Sequence, residues 1–161
     1  MSYIRQASEI KGNHVAFTEI NIKARPEVVR AHFLDFDKWS EWCAVIPKIA
    51  VKSGDLNDLS TKPTIELTLD FGRKNDPSKA PVSPNVTENT PEVFNWGFSI
   101  GVLKAEHVFI FEPINNGKAT RLVHYERMSG ILKSLTMTSK VKANMIEKYN
   151  TMNEALKNLC E

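Results

Sequence analysis

Cysteine is almost missing from this sequence: Cys43 and Cys160 are the only two. They lie far apart and outside any metal-type spacing, which argues against a disulfide framework or a zinc site. Two free thiols suit a reducing compartment, so a cytoplasmic location is expected. Glycine is sparse as well. Its 7 residues are scattered, and none open a helix as a phosphate-cradling loop would. Ser129-Gly130 lacks the preceding glycine of a nucleophile elbow. Nucleotide enzymes and serine hydrolases are therefore disfavoured. No stretch approaches the roughly 20 apolar residues of a membrane span. Met1 to Lys11 carries Arg5, Glu9 and Lys11 and no apolar run, unlike a signal peptide. An excess of one charge is also lacking, with 21 basic against 19 acidic residues. That balance offers no footprint for nucleic acid or an anionic membrane.

What is present suits one globular domain over residues 1–161, with residues 1–12 a loosely ordered segment. His14 to Lys23 reads as a first strand with Ile20 and Ile22 in phase. Pro26 and Glu27 then suit the first turn of a helix carrying Val28, Val29, His32 and Phe33. Asp35 is placed to cap a second short helix holding Phe36, Trp39 and Trp42. Lys48 to Ser53 is a short strand. Thr64 to Phe71 alternates, with Ile65, Leu67, Leu69 and Phe71 on one face, as a half-buried strand does. Gly72 to Ala80 is a polar loop. Pro81 to Glu88 is strand-like, with Pro84 marking an edge or a bulge. Val93 to Ile100 follows, with Phe94, Trp96, Phe98 and Ile100 in phase. From Gly130 onward a long helix is expected, striped by Val141, Met145, Tyr149, Met152, Leu156 and Leu159. Strands followed by a terminal helix predict an α+β fold.

The most legible element is the hairpin of Leu103 to Pro113 and Lys118 to Met128 around Asn115-Asn116-Gly117. A two-residue turn at Asn116-Gly117 opposes Glu106 to Arg127 and Glu112 to Arg121 on one face. That charged face is assigned to solvent. It would leave Val108, Ile110, Val123 and Tyr125 as an outer apolar strip, a candidate homodimer contact. The inner face then holds His107, Phe109, Phe111, Leu122, His124 and Glu126. Buried imidazoles and a carboxylate need partners. Three roles stay open: an internal pair in which Glu126 accepts from His107 or His124, a polar handle for a ligand, or proton transfer by Glu126 and His124. Two histidines and a carboxylate are also metal-ligand types, but with no second supporting feature neither metal nor cofactor is expected.

Several segments resemble one superfamily. They are Ile20-x-Ile22-x-Ala24-x-Pro26-Glu27-x-Val29, Phe33-Leu34-Asp35-Phe36-Asp37-Lys38-Trp39-x-x-Trp42, Leu103-x-Ala105-Glu106-His107-x-Phe109, and Thr120-Arg121-Leu122-Val123-His124-Tyr125-Glu126. Ser129-Gly130-Ile131-Leu132 and Met152-Asn153-x-Ala155-Leu156-Lys157 continue the pattern. Together they are similar to SRPBCC proteins, which include polyketide cyclase/dehydrases, START domains and the major birch pollen allergen. The resemblance implies a helix-grip fold: a curved antiparallel sheet of about seven strands around a long C-terminal helix, with two short helices after the first strand. It implies an internal cavity for lipids, sterols, plant hormones, aromatic polyketides or quinones, and in some members cyclisation or dehydration. The polar insert Arg73 to Lys79 departs from the pattern. The expected function is binding of a small apolar molecule, with a cyclase/dehydratase or a protein-interaction module as alternatives. The expected ligand wall comprises Trp39, Trp42, Leu67, Leu69 and Trp96 from the first half. From the second half come His107, Phe109, Phe111, His124, Glu126, Met145, Tyr149 and Met152.

Overall fold

A computed structural model describes residue 10, residues 12–70 and residues 81–161. The expectations for Met1 to Glu9, Lys11, Phe71, the loop Gly72 to Ala80 with its insert Arg73 to Lys79, and the Ile100 side chain lie outside the described residues.

Seven strands form one antiparallel sheet: β1 (Val15–Ile22), β2 (Lys48–Ser53), β3 (Thr64–Thr68), β4 (Asn85–Asn89), β5 (Val93–Ile100), β6 (Leu103–Ile114) and β7 (Ala119–Gly130). Their order across the sheet is β1-β7-β6-β5-β4-β3-β2. Helix α1 (Pro26–Leu34), a 3-10 turn at Phe36–Lys38 and helix α2 (Trp39–Trp42) link β1 to β2. The chain ends in α3 (Lys133–Thr136) and α4 (Ser139–Cys160), the latter lying against β1, β7 and α1. This is the helix-grip α+β arrangement.

Local chemistry explains most boundaries. Pro26 opens α1, where its missing N–H is no loss, and Glu27 sits in the first turn beside Arg25 at 3.1 Å. Asp35 does not cap the following turn. Its carboxylate pairs with Lys38 at 3.0 Å instead. Pro84 is not on an edge strand, since β4 is interior to the sheet. It precedes β4, where the β3–β4 ladder thins to the Thr64–Asn85 pair and a separate Leu67–Val82 bridge. The terminal helix is not continuous from Leu132. It breaks after Thr136, and the Thr138 hydroxyl restarts it by accepting from the Val141 N–H at 3.3 Å.

The β6–β7 register pairs Glu106 with Arg127, Val108 with Tyr125, Phe109 with His124 and Glu112 with Arg121. Asn115, Asn116 and Gly117 all adopt left-handed backbone in the connection, and the last pair is Ile114 with Ala119. The outer strip is not exposed, contrary to expectation. Val108, Val123 and Tyr125 join Ile10, Val15 and Val93 in a buried cluster. Ile10 is only 2% exposed in that cluster.

Inside the sheet, residues stack in layers set by register. Ile20, Leu122 and Phe111 form the first layer; Thr18, His124, Phe109 and Phe94 the second. Ala16, Glu126, His107 and Trp96 make the third, and Met128, Ala105 and Phe98 the fourth. The first two layers are filled by α1. Phe33 sits 4.5 Å from Phe109, 5.4 Å from Phe111 and 5.5 Å from Phe94, ring centre to ring centre. Side-chain size then falls along β6 from Phe109 through His107 to Ala105. No helix from the β1–β2 connection fills that end.

Candidate functional site

The unfilled end is a cavity of about 370 Å³ between the sheet and α4. Its inner end is formed by Trp96, His107, Glu126 and Tyr149. Gly97, Phe98, Ala105, Met128 and Met145 surround the middle, and Ile46, Leu67 and Leu69 close one side. Val82 and Val141 are 37% and 39% exposed and border the outlet. Gly97 is required where it stands, because a Cβ there would meet the Ala105 carbonyl oxygen at 2.6 Å.

Seven residues of the expected wall therefore line the cavity: Leu67, Leu69, Trp96, His107, Glu126, Met145 and Tyr149. Six do not. Trp39 is fully buried under α1 and donates its indole N–H to the Phe33 carbonyl at 2.6 Å. Trp42 packs on Trp39, with ring centres 5.0 Å apart. Phe109, Phe111 and Met152 belong to the solid aromatic half of the core. His124, the second proton-transfer candidate, is 0% exposed and lies one layer behind the cavity. Their alternation and helical spacing correctly point them inward. What separates core from cavity is the bulk of α1, which occupies only one half of the sheet.

Behind the inner end runs a chain of buried polar groups. His107 Nε2 and His124 Nε2 are 2.6 Å apart, and His124 Nδ1 is 2.7 Å from Asn153 Oδ1. Asn153 Nδ2 donates to Thr18 Oγ1 at 2.9 Å, and the Thr18 hydroxyl donates to the His124 carbonyl at 2.8 Å. The expected Glu126–histidine pair is not formed. His107 Nδ1 stands 3.8 Å from Glu126 Oε2, beyond hydrogen-bond reach, and the Tyr149 hydroxyl donates to that oxygen instead. Asn153 and Thr18 escaped notice because both are polar. Asn153 nevertheless falls four residues after Tyr149 on the helix stripe, and Thr18 shares phase with Ile20 and Ile22.

Burial sets the charges. It lowers His124 to about 3, only partly offset by the hydrogen bond to Asn153. His107 is driven well below the usual imidazole range, by burial first and by the neighbouring His124 second. Burial raises Glu126 to about 7 against the opposing pull of the Tyr149 hydroxyl. Tyr149 is held well above the ordinary phenol value by burial and by Glu126. Both imidazoles are therefore neutral at physiological pH, while the carboxyl titrates there. Cys43 is buried and pushed to about 11, a packing residue. Among the described residues no group of three His, Cys, Asp or Glu side chains could hold a metal ion. No helix among them is long and apolar enough to cross a membrane.

The fold is shared with many solved structures. A START superfamily protein from Mycobacterium smegmatis is 14% identical, with 91% of this chain and 97% of that one covered at a TM-score of 0.69. A hypothetical protein from Helicobacter pylori is 18% identical, covering 100% and 98% at 0.67. The Zhui aromatase/cyclase from Streptomyces sp. R1128 is 7% identical, covering 90% and 94% at 0.59. Among curated proteins, none matches this chain. The family profile described as polyketide cyclase / dehydrase and lipid transport matches residues 14–161, which is nearly the whole chain, and the protein belongs to that family.

Proposed function

We propose that the protein binds a small apolar molecule in the cavity beneath α4, with Glu126 and His107 as the polar anchor at its inner end. One observation carries the reading: a mostly apolar space of about 370 Å³ has a buried carboxyl and a buried imidazole in its wall. The volume lies within the range of roughly 300–1,000 Å³ usual for small-molecule sites. Affinity would come chiefly from area removed from water, at about 25 cal/mol per Å². The polar end would set orientation. Native mass spectrometry of protein purified without detergent, followed by organic extraction, tests this. An added mass that extracts as an apolar compound is expected. Absence of any adduct, together with no saturable binding of aromatic, sterol or fatty-acyl probes, would refute it.

A second reading rests on Glu126 alone. A carboxyl titrating near neutrality in a mostly apolar cavity has the properties of a general acid or base, as a cyclase or dehydratase needs. His124 cannot share that work by contact, since it does not reach the cavity. Under this reading Glu126→Gln abolishes turnover of a polyketide-like substrate and leaves its binding intact. Persisting turnover would rule it out.

A further inference from the structure

The buried polar chain has a direction, and the direction decides what the cavity can recognise. The Thr18 hydroxyl has one proton, and it is given to the His124 carbonyl at 2.8 Å. Thr18 Oγ1 therefore receives from Asn153 Nδ2, which turns Asn153 Oδ1 toward His124. His124 Nδ1 must then carry a proton to bridge the 2.7 Å to that oxygen. A neutral imidazole has only one, so His124 Nε2 is bare. Across 2.6 Å, His107 Nε2 must supply the proton of that bond, and His107 is neutral too. Its remaining nitrogen, Nδ1, is therefore an unprotonated acceptor. Running every bond the other way would leave the Thr18 oxygen against the His124 carbonyl oxygen with no proton between them.

His107 Nδ1 lies on the cavity side, 3.8 Å from Glu126 Oε2, and no group among the described residues donates to it. The adjoining rings give this end flat walls, with Trp96 and Tyr149 centred 4.8 Å and 4.9 Å from the imidazole. We infer that the chain from Thr18 through Asn153 and His124 holds His107 as an acceptor, so that the bound molecule is a ring-bearing alcohol or phenol whose hydroxyl donates to His107 Nδ1. The inference rests on the cavity being a binding site and adds the chemical class. A ketone or ether of the same shape would bring a second acceptor against His107 Nδ1. Thr18, Asn153 and His124 are positioning residues, since none of them lines the cavity.

The test pairs two probes of similar shape, naphthol and methoxynaphthalene, titrated into the full chain by calorimetry. Naphthol is expected to bind more tightly by about tenfold or more, the worth of one buried hydrogen bond. Thr18→Val removes the hydroxyl that orients Asn153 and should bring the ratio close to one. Thr18→Ser, which keeps the hydroxyl, should preserve it. Nitrogen chemical shifts of the imidazoles in the ligand-free protein read the direction itself. They should show a bare Nδ1 on His107 and a protonated Nδ1 on His124. A protonated His107 Nδ1, or equal affinity for the two probes, overturns the hydroxyl assignment while leaving the cavity as a binding site. Failure of both probes and of the apolar panel described above overturns both.

Discussion

Glu126 and His124 lie on either side of His107, yet their burial acts on stability in opposite directions with pH. The native Glu126 carboxyl keeps its proton up to about pH 7, whereas the unfolded chain gives it up near 4.5. Between those values unfolding releases a proton, so this residue makes stability fall as pH rises through the window and level off above about 7. The full effect would approach 3 kcal/mol, less whatever water in the cavity returns to a side chain that is 12% exposed. His124 works the other way. Its native value of about 3 lies below the unfolded 6.5, so its contribution is complete above 6.5 and is lost as pH falls toward 3. Glu126→Gln keeps an acceptor for the Tyr149 hydroxyl and removes the charge. It should be more stable than the parent by roughly 1–3 kcal/mol at mildly alkaline pH, with the gap closing below about pH 4.5. Urea unfolding at the two extremes checks this; an equal gap at both would place Glu126 in water. The inward side of these residues was legible in the sequence, because opposed charges at 106/127 and 112/121 fix the hairpin register. Their partners were not, because hydrophobic periodicity is blind to a buried Asn153 or Thr18.

At the scale of elements, the terminal helix is where sequence pattern and structure part. The sequence reading runs one long helix from Gly130 onward, and its stripe from Val141 to Leu159 does not by itself locate a break ahead of it. What stops it is capping: Thr138 adopts extended backbone and its hydroxyl accepts from Val141. Val141 and Leu159, at the two ends of the stripe, remain 39% and 41% exposed. Thr138→Ala should lower stability by about 1 kcal/mol, as lost N-caps generally do. Gly130 controls the junction ahead of it. Its φ is +99°, and a Cβ there would come within 1.9 Å of the Val102 carbonyl oxygen. That oxygen accepts from the Ile131 N–H at 3.1 Å, tying the end of β7 to the β5–β6 turn. Gly130→Ala must therefore break this contact or bend both segments. A loss of roughly 2–4 kcal/mol in urea unfolding is expected, well above the Thr138 effect. A Gly130 variant as stable as the parent would mean that the β7 end is not fixed to the β5–β6 turn.

Across the whole molecule, one sheet serves two purposes. Helix α1 presses Phe33 onto Phe94, Phe109 and Phe111 and makes that half a conventional core, while the half beyond His107 is left open under α4. An unfilled apolar space forgoes packing that the chain could have used. That loss is sensible if a ligand completes the core, because anything bound only to the folded state stabilises it. Ala105 tests the division. It is 4% exposed, faces the cavity in the layer beyond His107, and is not part of the polar chain. Ala105→Phe would extend the aromatic packing of β6 by one more layer into existing space. The empty protein should keep its fold and gain up to about 1–2 kcal/mol from the buried ring. Naphthol binding and any co-purifying compound should disappear together. The opposite outcome, a less stable protein that still binds, would mean that ligand and phenyl ring do not compete for the same space, and that the opening beneath α4 is not the chamber. Stability gained at the expense of binding would instead tie the gap in the core to its use.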